Sequence, residues 1–155
     1  VTLAYFSLGS NLGDRAAFLR RGVHLMVGER AHRLSDVYET DPWGPVAQDD
    51  FLNLILEVET TLSPRELLEL IRAAESDAQR ERQVHWGPRT LDVDLIYMDG
   101  VTSDDPEITV PHPRWRERAF VLVPLRELRP DLVGESDSDP TSGEVRHVGR
   151  LSDIG

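Results

Sequence analysis

The stretch Trp86-Gly87-Pro88-Arg89-Thr90-Leu91-Asp92-Val93-Asp94-Leu95-Ile96-Tyr97-Met98 holds a loop and then a strand, and the fold turns on how it is read. Gly87 and Pro88 punctuate the loop, and Leu91 to Met98 has strand composition. Side chains alternate along a strand. Asp92 and Asp94 therefore share one face with Ile96 and Met98, and Leu91, Val93, Leu95 and Tyr97 share the other. A strand apolar on both faces is expected in the middle of a covered sheet. Carboxylates on such a strand are costly unless paired or metal-bound. Magnesium is typically held by one or two carboxylates, with substrate phosphates completing its shell. Arg89, just upstream, is planar, permanently charged and suited to a bidentate grip on phosphate. Asp-x-Asp alone is common and often merely solvated, so its neighbours must carry the argument.

Working outward, the whole chain of 155 residues suits one domain, residues 1–155. Net charge is −11, which argues against nucleic-acid partners. No run of about eighteen apolar residues occurs, so no membrane span is expected, and Val1 to Leu8 reads as a strand without the basic start of a signal peptide. Cysteine is absent, which rules out disulfides and thiolate catalysis and fits a cytoplasmic protein. All 17 basic residues are arginine. A Walker-type phosphate loop needs lysine and is excluded. Phosphate handling falls to arginine, histidine, metal and backbone amides.

Residues 1 to 8 alternate as a strand, with Ala4, Phe6 and Leu8 on one face and Leu3, Tyr5 and Ser7 on the other. Gly9 to Asp14 is a tight turn into a helix capped by Asp14, whose apolar face is Ala16, Leu19, Val23 and Met26. His32 to Glu39 is expected as one strand, followed by the Pro/Gly-broken loop Thr40 to Asp50 with Trp43 in it. Phe51 to Glu59 is a strand with Leu52, Leu54, Leu56 and Val58 on one face. Phe51 and Asn53 share its other face, and a ring beside an amide suits a planar heterocycle. Ser63-Pro64-Arg65-Glu66 starts a helix with a capping box. Leu67, Ile71, Ala74 and Ala78 form its stripe, which fades near Gln79 to Arg82. Arg80, Arg82 and Arg89 then cluster around a loop facing the aspartates, as at a polyphosphate site. Asp99-Gly100 is a turn, and His112 stands between two prolines. Arg114 to Leu128 is expected to be helical with an interruption at Pro124. Residues 135–143 read as a mobile acidic loop, followed by at most a short element with a dispensable tip.

These motifs together resemble the 6-hydroxymethyl-7,8-dihydropterin pyrophosphokinases of folate biosynthesis. The resemblance runs from Ala4 to about Leu132. It rests on Arg80-x-Arg82 before Trp86-Gly-Pro-Arg-Thr-Leu-Asp-Val-Asp94, on Gly9-Ser10-Asn11-Leu12, Tyr38-x-Thr40, Gly44-Pro45 and Phe51-Leu52-Asn53, and on Val110-Pro111-His112-Pro113 leading to Arg118-x-Phe120. It implies an α+β fold, a ferredoxin-like antiparallel sheet with helices on both faces. It implies transfer of pyrophosphate from MgATP to the pterin hydroxymethyl group, with AMP released. Asp92 and Asp94 would be the ligands of two magnesium ions. Thr40, Pro42, Trp43 and Asn53 would bind the pterin between Phe51 and Phe120. Glu75, Arg80, Arg82, Trp86, Arg89, His112 and Arg118 would bind ATP, with Arg82, Arg89 and Asp94 as the catalytic residues. The loop from Gln79 to Thr90 would close over the site. The implied partners are ATP, the pterin and neighbouring folate-pathway enzymes. Gln79, His85 and Pro113 depart from the family pattern. Read without the resemblance, the aspartate pair also suits a metal-dependent phosphohydrolase, and the fold suits a non-catalytic ligand-binding module.

Overall fold

The computed structural model describes residues 1–11, 13–40, 50–80, 91–133 and 145–154, with Arg80 as backbone only. In chain order the elements are β1 (Thr2–Ser10), α1 (Arg15–Val27), β2 (His32–Leu34), β3 (Val37–Thr40), β4 (Phe51–Thr60), α2 (Pro64–Arg80) and β5 (Asp92–Met98). A single 3-10 turn at Trp115–Glu117 precedes α3 (Ala119–Leu128), and β6 (Val145–Gly149) and a 3-10 turn at Leu151–Asp153 follow. The strands form an antiparallel sheet in the order β5-β1-β4-β3-β6, with β2 also on β4. The β1-α1-β3-β4-α2-β5 course and its strand order give the expected ferredoxin-like α+β architecture.

Alternation builds the two layers. Ala4, Phe6 and Leu8 of β1 and Leu52, Leu54, Leu56 and Val58 of β4 pack against the apolar stripes of α1 and α2. On the opposite face Tyr5, Ile55 and Ile96 meet Trp115 and Val121, Leu122 and Leu125 of α3. Each fully buried leucine or isoleucine contributes about 1.5–3 kcal/mol to this arrangement. The helix starts are those expected. Asp14 Oδ1 accepts from Ala17 N–H at 3.1 Å. The Ser63 N–H donates to Glu66 Oε1 at 3.1 Å, and the Glu66 N–H donates to Ser63 Oγ at 3.2 Å.

Several expectations are corrected. The strand carrying Asp92 and Asp94 is not central; β5 is covered on both faces but, among the described residues, lies at the end of the sheet beside β1. Its register with β1 shifts between Tyr5 and Phe6, and Ile96 is the additional residue. A bulge of this kind inverts the alternation beyond it. Met98 consequently joins the α1–α2 core and Tyr97 packs toward α3, the reverse of the simple pattern. The strand expected from His32 to Glu39 is two strands. The break is at Ser35, whose backbone N–H and side-chain Oγ both bond the Ile55 peptide of β4. Residues 114–128 are interrupted at Arg118, which has an extended backbone, whereas Pro124 lies inside α3. The short element expected after residue 143 is present as an edge strand on β3. Its tip is not the dispensable end expected, since Leu151 is buried in the core while its carbonyl accepts from Arg20.

Candidate active site

The register of the sheet gathers several of the side chains singled out in the sequence at one end. Gly9 of β1 is directly opposite Asn53 of β4 on one side and Asp92 of β5 on the other. Ser7 is likewise opposite Asp94. Asn53, Gly9, Asp92 and Asp94 thus belong to one cross-strand block, on the face that α3 covers further along the strands. Asn53 is buried, and its Nδ2 donates to Thr40 Oγ1 at 2.6 Å across β4 and β3. A buried amide held in this way presents its polar atoms in a fixed direction. Phe51 begins β4 half-buried, and Phe120 stands half-buried in the first turn of α3.

Arg118 connects the two halves of the site. Its guanidinium lies 5.6 Å from the Phe120 ring centre, and Nη1 lies 3.7 Å from Asp94 Oδ2. Asp94 keeps 45% of its side chain exposed, so the pair is open to a ligand. His112 is tied to β5 through its N–H, which donates to the Ile96 carbonyl at 2.8 Å. The Arg114 N–H donates to His112 Nδ1 at 3.1 Å, which places the ring proton on Nε2. Burial holds this imidazole below its ordinary value, with Arg118 acting in the same direction and Asp94 opposing. A neutral ring with a defined N–H donor results.

Glu75 has a more specific place than the sequence reading gave it. Its Oε2 accepts from the Val93 N–H at 2.9 Å. Val93 lies between the aspartates on the outer edge of β5, where no further strand pairs among the described residues, so the carboxylate satisfies an edge amide. Between α2, this edge and residues 106–113 is a cleft of about 360 Å³ whose walls include Ile71, Arg72, Glu75, Asp94, Thr109 and His112. Among the described residues no group of three or more His, Asp or Glu side chains converges on a single point. Asp92 and Asp94 instead offer two part-buried carboxylates on one strand face. That set suits magnesium shared with phosphate oxygens and not a cation enclosed by protein alone.

The structure thus brings together Asp92, Asp94, His112, Arg118, Phe120, Phe51, Asn53, Thr40 and Glu75. Pro42, Trp43, Arg82, Trp86 and Arg89 lie outside the described residues, as does the side chain of Arg80, and with them the closing-loop expectation for Gln79 to Thr90. Gly9, expected in the turn after the first strand, lies inside it, since β1 continues through Ser10. A glycine inside a strand pattern signals close approach of another group and was the available clue.

The family model described as 7,8-dihydro-6-hydroxymethylpterin-pyrophosphokinase matches residues 5–130. A 2-amino-4-hydroxy-6-hydroxymethyldihydropteridine pyrophosphokinase of Bacillus subtilis is 43% identical over 145 residues, 92% of this chain and 87% of the relative. The Methylorubrum extorquens protein of the same name is 46% identical over 136 residues, 86% of each chain. A bifunctional protein FolKE of Lactococcus lactis is 43% identical over 80% of this chain and 36% of its own length. A solved structure of HPPK-DHPS in complex with substrates superposes with a TM-score of 0.61 over 90% of this chain and 42% of the other. At 11% identity it speaks to the fold alone. With matches of this extent, the chain belongs to the 7,8-dihydro-6-hydroxymethylpterin-pyrophosphokinase family.

Proposed function

We propose that this chain catalyses its family's reaction at the block described above, moving the β- and γ-phosphoryl groups of ATP together onto 6-hydroxymethyl-7,8-dihydropterin, a step of folate biosynthesis. The hydroxymethyl oxygen bonds to the β-phosphorus, the bond from that phosphorus to the α-phosphate bridging oxygen breaks, and AMP departs. One observation carries the assignment: Asn53 and Asp92 flank the same glycine from the two neighbouring strands, with Asp94 two residues along opposite Ser7. An acceptor read by Asn53 and Thr40 therefore lies beside the carboxylates. The acceptor ring is assigned to Phe51 and Phe120, with Pro42 and Trp43 at its edge. ATP is assigned to the cleft beside Glu75, with His112 Nε2–H and Arg118 as phosphate donors, joined by Arg80, Arg82, Arg89 and Trp86.

Transfer of this type depends on positioning and charge neutralisation more than on covalent help. Asp92 and Asp94 would hold two magnesium ions, whose charge offsets the triphosphate and polarises the β-phosphorus. Arg118 lies between Asp94 and Phe120 and can follow charge as it moves from the nucleotide to the acceptor. His112 donates without adding a formal charge. The cytoplasm is the proposed location. Neighbouring folate-pathway enzymes are proposed partners, and the bifunctional relatives support that reading. Separating nucleotides by chromatography tests the function: ATP should yield AMP only when the pterin is present. ADP or free phosphate formed without the acceptor would favour a phosphohydrolase instead.

A further inference from the structure

Gly9 is the one residue of the cross-strand block with no side chain to offer, and its neighbours give that absence a purpose. A Cβ built on Gly9 would lie 2.7 Å from Asn53 Oδ1 and 3.7 Å from Asn53 Cγ, with Phe51 Cδ1 at 3.5 Å. Heavy atoms at 2.7 Å overlap, so the space above Gly9 is already taken by the Asn53 carboxamide. Asn53 Nδ2 points the other way, to Thr40 Oγ1 on β3. The sheet order is β5-β1-β4-β3, so the amide spans the strands with its nitrogen toward β3 and its oxygen toward β1 and the aspartates.

We infer that Gly9 is a positioning residue for the acceptor: the bare backbone lets the Asn53 amide lie across β1, with Oδ1 directed toward the metal-binding side. The inference rests on the acceptor site proposed above. Oδ1 then accepts from an N–H on the edge of a planar heterocycle, while the bond to Thr40 Oγ1 anchors the other end of the amide. A side chain at residue 9 would push Oδ1 out of this position without touching the nucleotide cleft. The backbone of Gly9 has no left-handed conformation to explain the glycine, since its φ is not among the positive values of this chain.

The test is a double-mutant cycle read by AMP formation at varied pterin concentration, with binding of a non-hydrolysable ATP analogue measured by calorimetry. Gly9→Ala should raise the acceptor KM by about tenfold, change kcat much less and leave analogue affinity within about twofold, because only the acceptor-facing amide moves. Asn53→Ala should raise the acceptor KM by itself. In the Asn53→Ala background Gly9→Ala should add nothing further, since the overlapping group is gone. Gly9→Ala with parental acceptor KM, beside a weakened Asn53→Ala, overturns the role of Gly9 alone. Effects that multiply in the double variant overturn it as well. Parental acceptor KM in Asn53→Ala overturns the acceptor-site reading and the role of Gly9 with it. Should Gly9→Ala fail to fold by circular dichroism, the double variant decides: folding and binding like Asn53→Ala supports the inference, and failure to fold overturns it.

Discussion

Asn53 shows how much one side chain's surroundings decide. Its residue type and its face of β4 were legible in the alternation of Phe51 to Glu59, and so was the pairing of ring and amide. The bond to Thr40 and the close approach over Gly9 were not, because both depend on which strands become neighbours. Asn53→Ala should weaken pterin binding by about 1–3 kcal/mol, the cost of leaving ligand polar groups unpaired in a buried site. ATP affinity should hardly change. Calorimetry that found both ligands equally weakened would point to a structural role for the amide. Arg118 is the other residue whose meaning appears only in three dimensions. In sequence it is six residues beyond His112, yet its guanidinium reaches both Asp94 and Phe120. Arg118→Ala should therefore reduce kcat more than it weakens the binding of either substrate alone.

Among the elements, α2 was read almost completely, because a capping box and a 4-3-4 stripe are local signals and the structure repeats them bond for bond. β5 was read correctly as a strand but misplaced in the sheet. Apolar residues on both faces report that both faces are covered, which edge strands also achieve when helices pack on each side. Its bulge had no local signal either, since Ile96 and Tyr97 are ordinary strand residues. What protects the exposed edge is Glu75, a helix carboxylate on the Val93 amide. Glu75→Ala should lower stability by about 1–3 kcal/mol by leaving a part-buried N–H unsatisfied. It should also reduce turnover, because Val93 spaces the two aspartates. Glu75→Gln keeps a carbonyl acceptor and should recover most of the stability. Urea denaturation compares the three proteins, and equal midpoints for Ala and parent would remove Glu75 from this role.

Across the whole molecule the sheet divides its labour between its two ends. Away from the aspartates, Arg33 makes two bonds of 2.7 Å to Glu57, and the Tyr5 hydroxyl donates to the same carboxylate at 2.6 Å. Tyr5 and Gly9 are four residues apart on one strand, about 13 Å at the usual rise, so this network can hold the fold without entering the site. Burial pushes the Tyr5 hydroxyl up to about 12, with its bond to Glu57 adding to the rise and Arg129 opposing it. The Arg33 guanidinium beside Glu57 holds that carboxyl below its ordinary value, against the opposing effect of burial. A carboxyl depressed on folding contributes stability that is complete above its unfolded value, about 4.3 for glutamate, and is lost as pH falls through the folded value. Glu57→Gln should therefore cost about 1–3 kcal/mol at neutral pH, and the gap from the parent should close below about pH 4. A gap that widened in acid would reverse the sign of this account. The site at the other end is tested most directly by single-turnover AMP formation in Asp92→Ala and Asp94→Ala, with saturating ATP, pterin and magnesium. Each variant should melt within a few degrees of the parent, because the carboxylates face the site, and each should lose at least about a hundredfold in rate. AMP formation at near-parental rate by either folded variant would contradict the claim that these two aspartates organise the transfer.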